Sequence, residues 1–139
     1  MQNAAIFTPL IVLAAWTFII MVWMYATRIP AMTEAKIDPQ DAAIPGSLNV
    51  LPDNVRQISD NYNHLFEQPT LFYAMVVAIW AVGHVDPFSV GLAWAFVILR
   101  IVHSLIQCIA NRVMMRFSVF MVSWLILGIM IAKEVIALF

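Results

Sequence analysis

Charged residues are scarce in this sequence. Only 11% of its 139 residues are Asp, Glu, Lys or Arg, whereas 63% are hydrophobic. A soluble domain is about 25% charged and about 45–50% apolar, so this composition excludes an ordinary soluble domain. The formal net charge of −1 supplies no basic surface for nucleic acid. We therefore predict an integral membrane protein that contacts lipid and has no nucleic-acid partner.

Residues that build cofactor or nucleophile sites are also few. The single cysteine, Cys108, excludes an intrachain disulfide framework and a thiolate metal cluster. The three histidines are scattered and no carboxylate recurs at ligand spacing, so no metal site is predicted. The chain also lacks a nucleophile elbow and a glycine-rich phosphate loop. Because Cys108 lies in an apolar segment, its expected role is packing.

The first 25 residues contain no charge at all. A cleavable signal peptide needs a basic start and a shorter apolar run, so this stretch is predicted to be a membrane span that stays. Further apolar segments predict an all-α, four-helix transmembrane bundle forming one domain over residues 1–139. The predicted spans are about 4–26, 55–83, 87–110 and 114–138, with a polar, proline-containing loop over about 27–53 and a tight turn at 83–87.

Basic residues lie mainly at one end of the predicted bundle. The N-terminus and the 83–87 turn have none, and Lys133 near the C-terminus is the exception. By the positive-inside rule the two basic connections are cytoplasmic and both termini lie outside the cytoplasm. The residues that set this orientation are Arg28, Lys36, Arg56, Arg112 and Arg116.

Two polar stripes interrupt the apolar helices. Arg100, His103 and Gln107 recur at helical spacing in the third span, where a charged side chain must face protein, water or a counter-charge. The second helix carries a stripe of Arg56, Asp60, Asn63 and Glu67. Antiparallel neighbours would bring Glu67 to the level of Arg100, so an ion pair between these two residues is expected.

These residues admit a structural interpretation and a functional one. A buried Arg–Glu pair can simply fix helix register, and His103 can be a hydrogen-bond partner between helices. Arg112 and Arg116 can anchor a helix end at lipid phosphates, and His64 is expected to be an interfacial polar residue. Taken together, the polar groups instead favour a pocket for a small, multiply charged ligand beside a lipid-like second substrate.

Three blocks of the sequence resemble the MAPEG family, the membrane-associated proteins in eicosanoid and glutathione metabolism. They are residues 61–73 (NYNHLFEQPTLFY), 100–104 (RIVHS) and 111–117 (NRVMMRF). The resemblance extends to length, four spans, the long first loop and the charge distribution. Relatives of the bacterial type, with the same Leu-Phe-Glu-x-Pro pattern, are the most similar, which implies a bacterial inner membrane.

The resemblance implies a homotrimer that holds glutathione, or another thiol, between subunits. It implies a glutathione-dependent transferase or peroxidase acting on lipophilic electrophiles or hydroperoxides within the membrane. Arg116 would be catalytic, since a cation beside sulfur favours the thiolate. The implied cofactor-binding residues are Arg56, Asn63, Glu67, Arg100, His103 and Arg112.

Two positions depart from the family pattern. Gln107 stands where many synthases carry a tyrosine, and Asn63 precedes Glu67 by four residues instead of three. The alternative function is a non-catalytic membrane protein, a lipid-binding or accessory subunit, whose buried ionic cluster is structural.

Overall fold

The computed structural model describes residues 4–139, which form five α-helices and no strand. This confirms the all-helical prediction; residues 1–3 of the predicted domain lie outside the described part. A π-helical segment, Ile106–Ala110, continues the fourth helix. The helices are α1 (Phe7–Glu34), α2 (Asp53–His64), α3 (Gln68–Ala81), α4 (Pro87–Leu105) and α5 (Val113–Leu138).

Three helical stretches of the described chain are long and apolar enough to cross a membrane: 7–34, 87–110 and 113–138. Their outward faces expose large apolar side chains, such as Phe18 at 62% and Leu125 at 64%. Such surfaces are favourable in lipid and costly in water. The chain is therefore an integral membrane protein. The second predicted span, 55–83, corresponds to α2 and α3, of which the 14-residue α3 covers about 21 Å of a core about 30 Å thick.

The first helix ends about two turns later than the sequence indicates, because it continues through Pro30 to Glu34. A proline inside a helix removes one N–H donor, and here the helix resumes beyond it. The Thr33 hydroxyl, after the proline, donates to the Ile29 carbonyl at 3.0 Å. The connection that follows is correspondingly shorter and contains two 3₁₀ turns, Pro39–Ala43 and Ser47–Val50.

The second predicted helix, 55–83, is interrupted. Helix α2 ends at His64 and α3 begins at Gln68. In a continuous helix the residue at position 69 would donate to the Leu65 carbonyl, but Pro69 has no N–H. Glu67, between the helices, has a non-helical ψ of −96°. The break changes the direction in which every residue beyond it faces.

The turn predicted at 83–87 is present and has a standard helix end. Gly83 adopts a left-handed φ of +77° and the His84 N–H donates to the Ile79 carbonyl at 3.0 Å, which is a Schellman motif. Asp86 then caps α4, because its carboxylate accepts a 2.7 Å bond from the Ser89 N–H. The turn therefore sets α3 and α4 antiparallel.

An apolar core joins these helices over most of their length. The Phe72 and Phe96 rings stack with centroids 4.4 Å apart, which fixes α3 beside α4. Helix α4 also packs on α1 and α5, and α2 packs on α1. The fully buried apolar side chains of the helices include Leu13, Ile20, Phe72, Val76, Ala93, Phe96, Val97 and Leu127.

An ionic cluster ties the α3–α4 turn to the end of α5. The buried Glu134 carboxylate is 2.8 Å from His84 Nδ1 and 3.3 Å from Lys133 Nζ. Lys133 also lies 3.1 Å from Asp86 and donates to the Ser89 hydroxyl at 2.7 Å. The Ser89 N–H, and then Lys133, hold the pKa of the Asp86 carboxyl below its ordinary value. The contribution of Asp86 to stability is thus present above its unfolded pKa and is lost as pH falls through its folded pKa.

Glu134→Gln is expected to lower the free energy of unfolding by about 1–3 kcal/mol. The neutral amide offers a single oxygen in place of two. Its NH₂ group would face either His84 or Lys133, both of which the carboxylate had contacted. Thermal unfolding in detergent, followed by circular dichroism, measures the loss. The exposed Glu34, changed to glutamine, is the control and should have almost no effect. Equal unfolding temperatures for the two variants would contradict a stabilising role for the cluster.

Candidate functional site

Arg100 is completely buried, and its partners are neutral. Its Nη1 donates to Gln68 Oε1 at 3.0 Å, and its Nη2 donates to the His64 backbone carbonyl at 3.1 Å. The guanidinium carbon lies 5.7 Å from the centre of the Phe120 ring, within cation–π range. The expected ion pair between Arg100 and Glu67 is therefore wrong. Arg100 instead joins the end of α2 to the start of α3.

The break between α2 and α3 explains this change of partner. Gln68 points inward and is 3% exposed, whereas the Glu67 side chain is 62% exposed. The Glu67 carboxylate lies 3.1 Å from His64 Nδ1. A stripe extrapolated along one continuous helix would place Glu67 on the inner face. The non-helical conformation of Glu67 rotates the chain, so that the side-chain amide of Gln68 lies on the inner face instead.

Gln68 connects three helices at one buried point. Its Oε1 accepts from Arg100 on α4 and, at 3.0 Å, from the Ser123 hydroxyl on α5. A buried acceptor with two donors is well satisfied. This contact holds the α2–α3 break at a fixed position against α4 and α5.

A cavity of about 200 Å³ lies beside this buried contact, between the end of α2, α4 and the first turns of α5. His103 is almost fully buried in its wall, and its ring meets that of His64 edge-on, with centroids 6.2 Å apart. The His103 Nδ1 has no hydrogen-bond partner among the described residues. The residues that line the cavity are His64, His103, Val113, Arg116, Phe117 and Phe120.

Arg116 is positioned in the cavity wall by the segment that precedes α5. Its Nη1 donates to Asn111 Oδ1 at 2.8 Å. Asn111 has a left-handed φ of +44°, a conformation that asparagine tolerates better than most residues. Its own N–H closes the π-helical segment by donating to the Ile106 carbonyl at 2.7 Å. The end of α4 thereby fixes the direction of the guanidinium.

The cavity combines two kinds of surface. One cation and two imidazoles supply a polar side that can bind an anion and exchange protons. Val113, Phe117 and Phe120 supply an apolar side, and Val113 and Phe117 are more than half exposed on the outer surface of α5. A polar group and an apolar molecule can therefore meet at the same place.

The structure brings only some of the predicted site residues together. His103 and Arg116 line the cavity, and Arg100 lies behind it without reaching its surface. Arg56 lines a separate depression of about 90 Å³ with Arg28, and lies 3.5 Å from Asp53. Asn63 and Arg112 are exposed and line neither space. Gln107 is buried, as a polar face turned away from lipid requires.

Sequence reasoning missed two contributors to the cavity. His64, expected at the membrane interface, lies in the cavity wall, and Asn111 orients Arg116. The signal for His64 was its position directly before a break that Pro69 imposes. The signal for Asn111 was an asparagine at the end of a helix, where a left-handed residue is common.

Comparison with known proteins identifies the family alone. Neither a curated protein nor a solved structure matches the sequence. The family model described as "MAPEG family" matches residues 6–136, which is nearly the whole chain. This match agrees with an all-helical membrane protein whose cavity is lined mainly by residues of the blocks 61–73, 100–104 and 111–117. The chain belongs to the MAPEG family.

Proposed function

We propose that the protein is a glutathione-dependent transferase or peroxidase that acts on lipophilic electrophiles or hydroperoxides in the membrane. Members of the family include glutathione-related transferases and peroxidases as well as non-catalytic proteins. The observation that carries the proposal is the cavity in which Arg116 and two histidines face an aromatic wall. A thiol that must ionise and an electrophile that partitions into lipid need these two surfaces side by side.

Arg116 is assigned to the sulfur of the thiol. A free thiol has a pKa of about 8.5, and a cation within a few ångströms favours its ionised, nucleophilic form. The bond to Asn111 holds the guanidinium in place before the ligand arrives, so little ordering is needed on binding. The electrophile would approach from the side of Val113 and Phe117, which face outward on α5.

A homotrimer is part of the proposal. A cavity of about 200 Å³ is smaller than most small-molecule sites, which measure about 300–1,000 Å³. A tripeptide would extend beyond it, and Asn63 and Arg112, each next in sequence to a residue of the cavity wall, are exposed. A neighbouring subunit that covers these two residues would complete the site. With both basic connections in the cytoplasm, the thiol would enter from that side and the electrophile from lipid.

The non-catalytic alternative has one observation in its favour. Arg100, a predicted ligand of glutathione, has all its contacts within the protein and no exposed surface. A buried polar contact of this kind is also expected in a protein whose charges serve only to fix helix packing. The cavity beside it, however, is lined by Arg116 and His64 as well as His103, and polar groups that only fix helix packing need not line an open space.

Glutathione binding to the detergent-solubilised protein, measured by calorimetry, tests the proposal. The wild type is expected to bind, and Val113→Trp, which fills the cavity, is expected to weaken binding at least about tenfold, or about 1.4 kcal/mol. Val122→Trp on the lipid-exposed surface of the same helix is the matched control, because it does not line the cavity. A stable, monodisperse wild type that binds no glutathione would favour the non-catalytic alternative.

A further inference from the structure

The imidazole of His64 is held in an arrangement typical of a general base. Its Nδ1 lies 3.1 Å from the Glu67 carboxylate. A carboxylate at this distance fixes Nδ1 as the protonated nitrogen and leaves Nε2 with a free electron pair. The His64 ring also lines the cavity that contains Arg116. A base, the group that orients it and a cation for the product anion are therefore adjacent.

The backbone around His64 is fixed independently of its side chain. Arg100 donates to the His64 carbonyl at 3.1 Å, so a buried group on α4 holds the last residue of α2. The α2–α3 break then places Glu67 three residues further on, where its carboxylate turns back to the ring. Because Gln68 occupies the inner position against Arg100, the Glu67 carboxylate stays available to the His64 ring.

We infer that His64 is the catalytic base that removes the thiol proton, with Glu67 as the residue that positions it. This inference rests on the proposed function. The S–H bond breaks and its electron pair stays on sulfur beside Arg116, while the proton forms a bond to His64 Nε2. Glu67 then balances the charge of the imidazolium. When sulfur bonds to the electrophile, the proton returns to the atom that receives the displaced electron pair.

The other titratable groups around His64 agree with this assignment. Arg116 and His103 share the cavity, and Arg100 contacts the His64 carbonyl. Glu67 is the single carboxylate within hydrogen-bond distance of the ring among the described residues, so it is the counter-charge for the imidazolium that proton transfer would form.

Proton release on glutathione binding tests the inference. Calorimetry in buffers of different ionisation enthalpy, at about pH 8, where an ordinary histidine is neutral, counts the protons released. Ultraviolet absorbance of the thiolate measures ionisation of the bound thiol. The wild type is expected to form thiolate without releasing a proton, since His64 accepts it. In His64→Gln each thiolate formed should release one proton to the buffer, or thiolate should not form.

The matched control is His84→Gln, because His84 also lies beside a carboxylate, that of Glu134, but does not line the cavity. It should keep the proton count of the wild type. Equal proton release per thiolate formed in the wild type and His64→Gln would overturn the inference, as would a change confined to His103→Gln. If the wild type binds no glutathione, the proposed function itself fails, so the two failures are distinguishable.

Discussion

Arg100→Lys is expected to destabilise the protein by about 2–4 kcal/mol, although it retains the positive charge. Arg100 joins two acceptors on either side of the α2–α3 break, the His64 carbonyl and Gln68 Oε1. An ammonium group has no planar fork with which to reach both. It is also more strongly hydrated, so burying it in a fully enclosed position costs more.

Arg100→Met should be less damaging than the lysine variant, with a loss of about 1–2 kcal/mol. The methionine buries no charge, and both acceptors keep one donor. Gln68 Oε1 still receives the Ser123 hydroxyl at 3.0 Å, and the His64 carbonyl still receives the Glu67 N–H at 3.3 Å. The order of stability, wild type above methionine above lysine, distinguishes a bridging guanidinium from a charge that is needed as such.

Thermal unfolding of the purified protein in detergent measures this order, and Arg112→Lys is the control. Arg112 is exposed, so its exchange for lysine should change stability by less than about 0.5 kcal/mol. If Arg100→Lys were as stable as the wild type and Arg100→Met were not, charge would be the property that matters. Glu67 or a bound anion would then be the partner of Arg100.

The sequence predicted the architecture well, because lipid constrains it strongly. Long uncharged segments must be helices in a bilayer, where every backbone group needs an internal partner. Gly83 predicts the turn, because glycine readily adopts a positive φ. Arg100, His103 and Gln107 are buried because polar side chains are costly when they face lipid. These features depend on single residues and their nearest neighbours along the chain.

The second helix shows where this reasoning fails. Pro69 was visible in the sequence, but its consequence depends on tertiary contacts. A kinked helix would have kept Glu67 on the inner face, whereas the observed break places Gln68 there. The break is stabilised by donors from α4 and α5, namely Arg100 and Ser123, which lie 32 and 55 residues further along. No local pattern contains these contacts.

The candidate site was predictable in part for the same reason. The family resemblance implied His103 and Arg116 as site residues, and they do share one cavity. It also implied Arg56 and Asn63, which lie on the predicted polar stripe of α2, and the direction of that stripe depends on helix phase alone. No residue of that stripe lines the cavity, whereas His64, adjacent to the break, does line it.

Arg116→Met is expected to lower kcat/KM for glutathione conjugation by about a hundredfold to a thousandfold. The guanidinium would stabilise the thiolate, and methionine removes the charge while keeping a similar length. In the described structure Arg116 makes one side-chain hydrogen bond, to the exposed Asn111. The unfolding temperature of Arg116→Met should therefore stay close to that of the wild type. Steady-state kinetics with a lipophilic electrophile in detergent, beside thermal unfolding, measure both quantities. Matching losses of activity and stability would exclude a catalytic role.

Asn111→Gly tests whether the orientation of the Arg116 guanidinium matters in addition to its charge. Glycine tolerates the left-handed φ of +44°, so the backbone should be retained while the acceptor for Arg116 is removed. A guanidinium that is present but less well oriented should lower kcat/KM by about threefold to tenfold, since preorganised charge is more effective than mobile charge. Arg116→Lys should give a kcat/KM between those of Asn111→Gly and Arg116→Met. If Asn111→Gly leaves kcat/KM unchanged, the 2.8 Å bond does not orient the group that acts on sulfur, and the effect of Arg116 is one of charge alone.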